Sequence, residues 1–501
     1  MVSAVRKRTD RPQVSLKPLE VRVRVDVPGL AQVRSDPAVG LPIDRSDDLR
    51  RNVASDQEDI GPVRRRGVQK LSEAPLGTVQ VRDEEDPRDV GHLGGHGILR
   101  GKGRRLLPRS VLLTPESMAV PMFVDTIEES PILALIDQIF EMRRRGETVL
   151  GLHIGEPDFD TPPGIRQAAA QALEDGLTHY ASAQGLPELR EAIATRLRRR
   201  CAIDASASDV VVLPAKFAIY ATLLVTAGVG DEVLLSNPTY LFDQPIRLVG
   251  ARPTYFPLGA DFRLDPSALE NAITSRTRVL VLANPSNPTG QVFDRDEVAA
   301  VVAIAQKHRL TLVSDETYES LVYEGSHVAA HAVRGSLDGV VTIGSFSKVF
   351  AMTGWRVGYA VAAPPIRTRL VKVVEHTLTC LPPFIQKACA WGIEHSEPDA
   401  ERFREVFRER RDHLLRSLGQ VSELEVPRPR GAFYVFPRYA GPDSSVDFCR
   451  KLLAEERLAL VPGVAFGSAG EHHVRISYSR PIPELEEGVE RLARFLQRER
   501  R

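Results

Sequence analysis

The sequence predicts an α/β protein, with a mostly parallel central sheet covered by helices on both faces and a smaller α+β unit beside it. Three observations carry that prediction. Strand-length runs of Val, Leu and Ile recur between residues 210 and 362 with no polar face, as strands buried on both sides require. Helix-period stretches separate many of them, as crossovers between parallel strands must. After about residue 400 the texture changes to a long charged helix, short strands and a closing helix.

Taken in chain order, residues 1–117 contain no aromatic residue, the first being Phe123, and are rich in Arg, Asp, Gly and Pro. Such a composition buries too little apolar surface to offset chain entropy, so disorder is expected there, or a mis-assigned reading frame with the true start at Met118 or Met122. The acidic Asp83, Glu84, Glu85, Asp86 and Asp89 argue against a transit peptide. GKGRR (101–105) lacks the spacing and the Ser/Thr of a phosphate loop, and His92 and His96 in a Gly-rich run read as solvated. Residues 118–164 are expected to form an arm and part of the smaller unit, 165–398 the large domain and 399–501 the small C-terminal domain.

Within the large domain the expected strands are VVVL (210–213), EVLLS (232–236), RVLVLA (278–283), LTLVS (310–314), VVTIG (340–344) and RVGYAVA (356–362). IRQAAAQALED (165–175) and DEVAAVVAIAQKH (296–308) read as helices. In the last hundred residues ERFREVFRERRDHLLRSL (401–418) reads as a long helix, with short strands around 433–437 and 473–479.

Composition narrows the function classes. Lys plus Arg and Asp plus Glu stand at 66 each, so no charge excess points to nucleic acid or a membrane surface. Cys201, Cys380, Cys389 and Cys449 are scattered without a C-x-x-C pair, which argues against a zinc site or a disulfide framework and fits a reducing cytoplasm. No apolar run reaches the ~18 residues of a membrane span, and no secretory signal opens the chain.

In open α/β sheets ligands gather beyond the carboxyl ends of the strands, and the polar residues of this chain cluster there. NPSNPTG (284–290) follows RVLVLA, Asp315 follows LTLVS, and Ser345, Ser347 and Lys348 follow VVTIG. Alone, NPTG means only a turn. The alternation of Val474, Arg475, Ile476 and Ser477 puts the guanidinium of Arg475 opposite the apolar face of its strand.

The ordered set GEPDFDTP (155–162), NPSNPTG, SDETYE (314–319), SFSK (345–348), GWRVGY (354–359) and VRISYS (474–479) resembles the class I/II aminotransferases of the fold-type I pyridoxal-phosphate family, over roughly residues 122–500. The resemblance implies pyridoxal 5'-phosphate as cofactor, because that chemistry needs a primary amine for the aldehyde, an acid opposite the ring nitrogen and donors for the phosphate. Lys348 matches the imine-forming lysine and base, Asp315 the partner of the ring nitrogen, and Asn287 and Tyr318 the groups that bond the phenolic oxygen. Ser345, Ser347 and Arg356, with the backbone at Ala215 and Lys216, match the phosphate clamp, and Tyr240 the aromatic over the ring. Tyr180 resembles the tyrosine that reaches the neighbouring subunit's phosphate, which implies a homodimer with shared sites. Arg475 matches the arginine that grips the substrate carboxylate, with the Gly155 backbone alongside.

The chain departs from the family at LPAKF (213–217), where relatives carry small, often Gly-rich residues and Pro214 has no N–H to donate. Lys216 stands where some relatives meet a distal carboxylate, yet ESPILAL (129–135) is mainly aliphatic, which weakens an acidic substrate and leaves aromatic or other apolar ones open. The implied activity is ping-pong transamination between an amino acid and a 2-oxo acid, glutamate and 2-oxoglutarate being one pair. Two rivals use the same resemblance: a lyase or decarboxylase on the same fold, and a transcription regulator with an aminotransferase-like sensor. The second would need a DNA-binding helix pair ahead of the sheet, and residues 1–117 show no such periodicity.

Overall fold

The computed structural model describes Ile127 and residues 131–499. The expectations for residues 1–117, for Met118 and Met122 as starts, and for the Glu129–Ser130 end of ESPILAL lie outside the described residues.

A seven-stranded sheet organises the large part of the chain. Its strands are β1 (Val210–Val212), β2 (Glu232–Asn237), β3 (Arg252–Pro257), β4 (Thr277–Ala283), β5 (Thr311–Asp315), β6 (Val340–Ser345) and β7 (Gly358–Ala362). They lie in the order β1-β7-β6-β5-β4-β2-β3. All pairings are parallel except the two made by β7, which runs antiparallel between β1 and β6. All six anticipated strands are present. The last begins two residues later than expected because Arg356 takes a left-handed conformation, with φ +56°, that ends the extended run.

Successive side chains of each strand enter different cores. Val233, Leu235, Val279, Val281 and Val313 pack into one apolar layer, while Leu234, Leu280, Leu282 and Leu312 pack into the other. Helices cover both layers, so the strands could not carry a polar face. One layer is capped by Pro187–Cys201, Ala215–Thr226 and Pro383–His395, the other by Arg295–Lys307. The start of Arg295–Lys307 is fixed by a reciprocal cap: Asp294 accepts from the amide of Glu297 at 3.1 Å, and Glu297 accepts from the amide of Asp294 at 2.9 Å.

The strand missed by sequence reading is β3. It is the sheet's edge, mostly half-buried or exposed, and it carries Pro253 and Pro257, which an edge tolerates and an interior strand does not.

The smaller unit packs Glu397–Leu418 and the closing helix Ile482–Glu499 over short strands at 434–435, 461–462 and 474–477. Phe403, Phe407, Leu414 and Leu418 make the buried stripe of the first helix, at helical spacing. Leu150 and Gly151 pair in parallel with Leu458 and Ala459, and Ser477 donates its amide to the Leu152 carbonyl at 2.8 Å. The segment that leads to GEPDFDTP is thereby built into the C-terminal unit.

Candidate active site

The parallel strands end at one edge of the sheet. Ala283 at the end of β4 stands beside Asp315 at the end of β5, and Asp315 stands beside Ile343 of β6, two residues before Ser345. A cavity of about 530 Å³ opens there, roofed by residues 153–156, Tyr434 and Arg475 from the smaller unit. Every residue singled out from the sequence lines it except one: Lys348, Asp315, Tyr240, Asn287, Tyr318, Ser345, Ser347, Arg356, Ala215, Lys216, Gly155 and Arg475 converge. The exception is Tyr180, which is 87% exposed and outside the cavity of its own chain.

Lys348 lies in the short helix Phe346–Val349, whose first turn is capped by Ser345 accepting from the amide of Ser347 at 3.2 Å. Its Nζ donates to the Gly155 carbonyl at 2.6 Å. Burial brings the ammonium down to about 8, with Glu156 pulling the other way and Arg475 and Arg356 adding to the fall. Asp315 is half-buried, and desolvation pushes its carboxyl up against two bonds from Thr317, the hydroxyl at 2.5 Å and the amide at 3.1 Å. Both bonds go to Oδ1.

The two acids that follow Asp315 turn away from the cavity and find basic side chains behind it. Glu316 meets His327 Nε2 at 2.9 Å, and Glu319 meets Arg196 at 2.7 Å. Asp315 has no ion pair among the described residues.

Arg475 is 5% exposed. It donates to the His153 carbonyl at 2.7 Å and to Asn287 Oδ1 at 3.1 Å, and its guanidinium lies 4.4 Å from the Tyr434 ring and 4.9 Å from that of Phe466. Its backbone partner is thus His153, while the Gly155 carbonyl takes Lys348. Because Asn287 spends its oxygen on Arg475, its amide hydrogens remain as donors.

At the loop 213–217, Pro214 takes a position that needs no N–H of its own. It stands at the N-cap, one residue before the helix, and its carbonyl accepts the first intrahelical bond from Ala218 at 2.8 Å. The amides of Ala215 and Lys216 open the helix and have no acceptor among the described residues, as the first turn dictates. Lys216 itself is solvent-facing, its Nζ 5.6 Å from the Tyr240 ring, and no acid pairs with it among the described residues. Arg356 is held over the loop by a bond to the Thr353 carbonyl at 2.8 Å.

Sequence reading missed several lining residues. Tyr434 and His153 lie in apolar runs and read as core, and both are in fact buried, at 1% and 3% exposure. Burial and Arg475 bring the His153 imidazole down to about 4, so it is neutral near pH 7. Glu156, bonded by the Thr353 hydroxyl, could have been drawn from GEPDFDTP, where its charge stands one residue from Gly155.

Residues 147–492 match the model of the family described as aminotransferase class I and II. The chain is 37% identical to an aspartate aminotransferase of Pyrococcus abyssi over 76% of its own length and 98% of the relative's. It is 35% identical to aromatic-amino-acid aminotransferase 2 of Thermococcus litoralis, over 72% of this chain and 95% of that one. The aspartate aminotransferase of Thermus thermophilus solved with maleate superposes with a TM-score of 0.72 at 35% identity, covering 75% of this chain and 98% of the other. The chain belongs to the class I and II aminotransferase family. It is an enzyme that moves an amino group between an amino acid and a 2-oxo acid, and its family is one that works with pyridoxal phosphate.

Proposed function

We propose that this chain binds pyridoxal 5'-phosphate through Lys348 and uses Arg475 to seat the carboxylate of an L-amino acid. The observation that carries the reading is Lys348 itself, half-buried just past a strand end, its Nζ on the Gly155 carbonyl and its ammonium brought down to about 8. A lysine so depressed holds an appreciable share of free amine near neutral pH, as attack on an aldehyde requires.

The surroundings fit the cofactor. Among the described residues Asp315 has no ion-pair partner, so a protonated ring nitrogen opposite it would offset the desolvation and hold the carboxylate ionised. Asn287 has amide hydrogens, and Tyr318 a hydroxyl, for a phenolic oxygen. The amides of Ala215 and Lys216, the hydroxyls of Ser345 and Ser347 and the Arg356 guanidinium make a donor set suited to a phosphate. Tyr240 offers a ring face. The cavity is within the ~300–1,000 Å³ usual for small-ligand sites.

When bound, the cofactor supplies an electron-withdrawing ring that lowers the cost of removing the substrate's α-proton. The protein's part is positional. Arg475 offers a fork of donors to a carboxylate, and Asn287 and His153 fix its plane. Lys348 Nζ, once released as an amine, takes the proton from the α-carbon. The cycle runs in two halves, an amino acid leaving as its oxo acid before a second oxo acid leaves as its amino acid.

For the side chain we favour a dicarboxylic pair such as glutamate and 2-oxoglutarate, because the Lys216 ammonium stands on the cavity wall without an acid. A second reading, an aromatic donor, is favoured by Ile132, Ile136 and Leu241 on the same wall. A donor panel with 2-oxoglutarate separates them. Lys216→Met should raise KM for aspartate and glutamate and leave that for phenylalanine unchanged; an equal effect on both removes the dicarboxylate reading.

A homodimer with Tyr180 entering the partner's site is supported by the exposure of that tyrosine. A cytoplasmic location is favoured by four free cysteines. No helix among the described residues is long and apolar enough to cross a membrane.

A further inference from the structure

Tyr434 belongs to no group that the cofactor reading uses, yet it touches three that it does. Its hydroxyl lies 2.7 Å from the hydroxyl of Tyr318. Its ring carries the Arg475 guanidinium at 4.4 Å. A methyl group on Gly155 would fall 2.2 Å from its oxygen, so the backbone whose carbonyl holds Lys348 rests directly against it. The strand pairing of Tyr434 with Ser477, two residues from Arg475, fixes that geometry.

The two phenols have no other hydrogen-bond partner among the described residues save each other. Each carries one proton, and one bond between them uses one. If Tyr318 donates to Tyr434, it has nothing left for a ligand. If Tyr434 donates, the Tyr318 proton is free to enter the cavity. Burial pushes both phenols above their ordinary range, so both keep their protons at working pH; the charged or titratable groups that face them are Arg475 and Tyr240.

We propose that Tyr434 is a positioning residue that donates to Tyr318 and so commits the Tyr318 proton to the phenolic oxygen of the bound cofactor. This rests on the cofactor reading given above. The same contact joins the carboxylate grip to the cofactor's electronics, because Arg475 stacks on the ring whose hydroxyl is the donor.

The test is the pH midpoint of the visible absorption band of the cofactor-loaded protein, compared among wild type, Tyr434→Phe, Tyr318→Phe and the double variant. Donation to the phenolic oxygen favours the proton-poor state of the chromophore, so weakening it raises the midpoint. Tyr434→Phe should raise it by roughly 0.3 pH units, and should raise it no further once Tyr318 is already Phe. An unchanged midpoint in Tyr434→Phe, or the same increment in the Tyr318→Phe background, overturns the proposal. The exchange deletes one oxygen and keeps the ring, and a thermal melt of each loaded variant separates a folding defect from an electronic one. Failure of the cofactor reading itself looks different, since wild-type protein would then show no visible band.

Discussion

Lys348 and Arg475 are the residues on which chemistry and recognition turn, and each makes a measurable claim. With the Lys348 ammonium lying near 8, the rate at which cofactor-free protein takes up pyridoxal phosphate should climb with pH and level off above about 8. Below that value it should fall roughly tenfold per pH unit as the free amine disappears. A stopped-flow profile that is flat from pH 6 to pH 9 contradicts this assignment. The stability of the cofactor-free protein has the matching sign. Lys348 loses its proton more readily folded than unfolded, so its contribution disfavours folding below about 8 and fades as pH rises toward the ordinary lysine value. Arg475→Lys should keep charge but lose the fork, cutting kcat/KM for amino acids by roughly a hundredfold, mainly through KM. Steady-state kinetics with two donors check it.

Most of these residues were legible because strand ends announce themselves as a polar residue after an apolar run. Asp315 and Lys348 each interrupt such a run. Tyr434 and His153 were not legible for the converse reason: an aromatic or imidazole inside GAFYVFP or LGLHIG looks like packing, and only the fold reveals that one side of it faces a cavity.

At the scale of elements, the loop GEPDFDTP is tied to the helix Glu397–Leu418 by Arg410, which meets both oxygens of Asp158 at 2.7 and 2.9 Å and lies 5.2 Å from the Phe159 ring. Arg410 is 9% exposed on its side chain and Asp158 17%, so removing one partner strands a poorly hydrated charge. Arg410→Ala should therefore cost roughly 3 kcal/mol of stability. It should also raise KM, because Gly155 opens that loop and His153 lies two residues before it. Denaturant unfolding and kinetics on one preparation test both halves. Gly155→Ala should disturb the same segment through its collision with Tyr434, and combining it with Tyr434→Phe should recover part of the lost activity. The core strands β1, β2 and β4 to β7 followed from apolar continuity alone. The edge strand β3, with its two prolines and exposed side, carries no such signal, and neither does the two-residue strand Leu150–Gly151, whose partner Leu458–Ala459 lies some three hundred positions away.

For the whole molecule the decisive question is whether one chain suffices. Tyr180, so exposed on its own chain, should contribute to a second chain's cavity. Lys348→Ala and Tyr180→Ala proteins, each impaired alone, should regain activity when unfolded together and refolded as a mixture, since some hybrids would hold one intact site. Sedimentation should give twice the chain mass, and a monomer with full activity excludes shared sites. The fold class was readable at this scale because a helix-covered parallel sheet leaves its signature in every strand. The convergence of three strand ends on one crevice was readable too, because a polar residue follows each apolar run, whereas the part Gly155 and Arg475 play there came only from the resemblance of six ordered motifs.

The pairing of Leu150–Gly151 with Leu458–Ala459, and of Leu152 with Ser477, has a consequence for how the chain matures. The strand leading to Gly155 emerges from the ribosome early and waits for partners synthesised some three hundred residues later. The sheet that carries Lys348 and Asp315 can assemble during translation, whereas the lobe that grips a substrate's carboxylate must await synthesis of residues 458–477. Newly made polypeptide should thus be competent to capture vitamin B6 before it is competent to choose an amino acid.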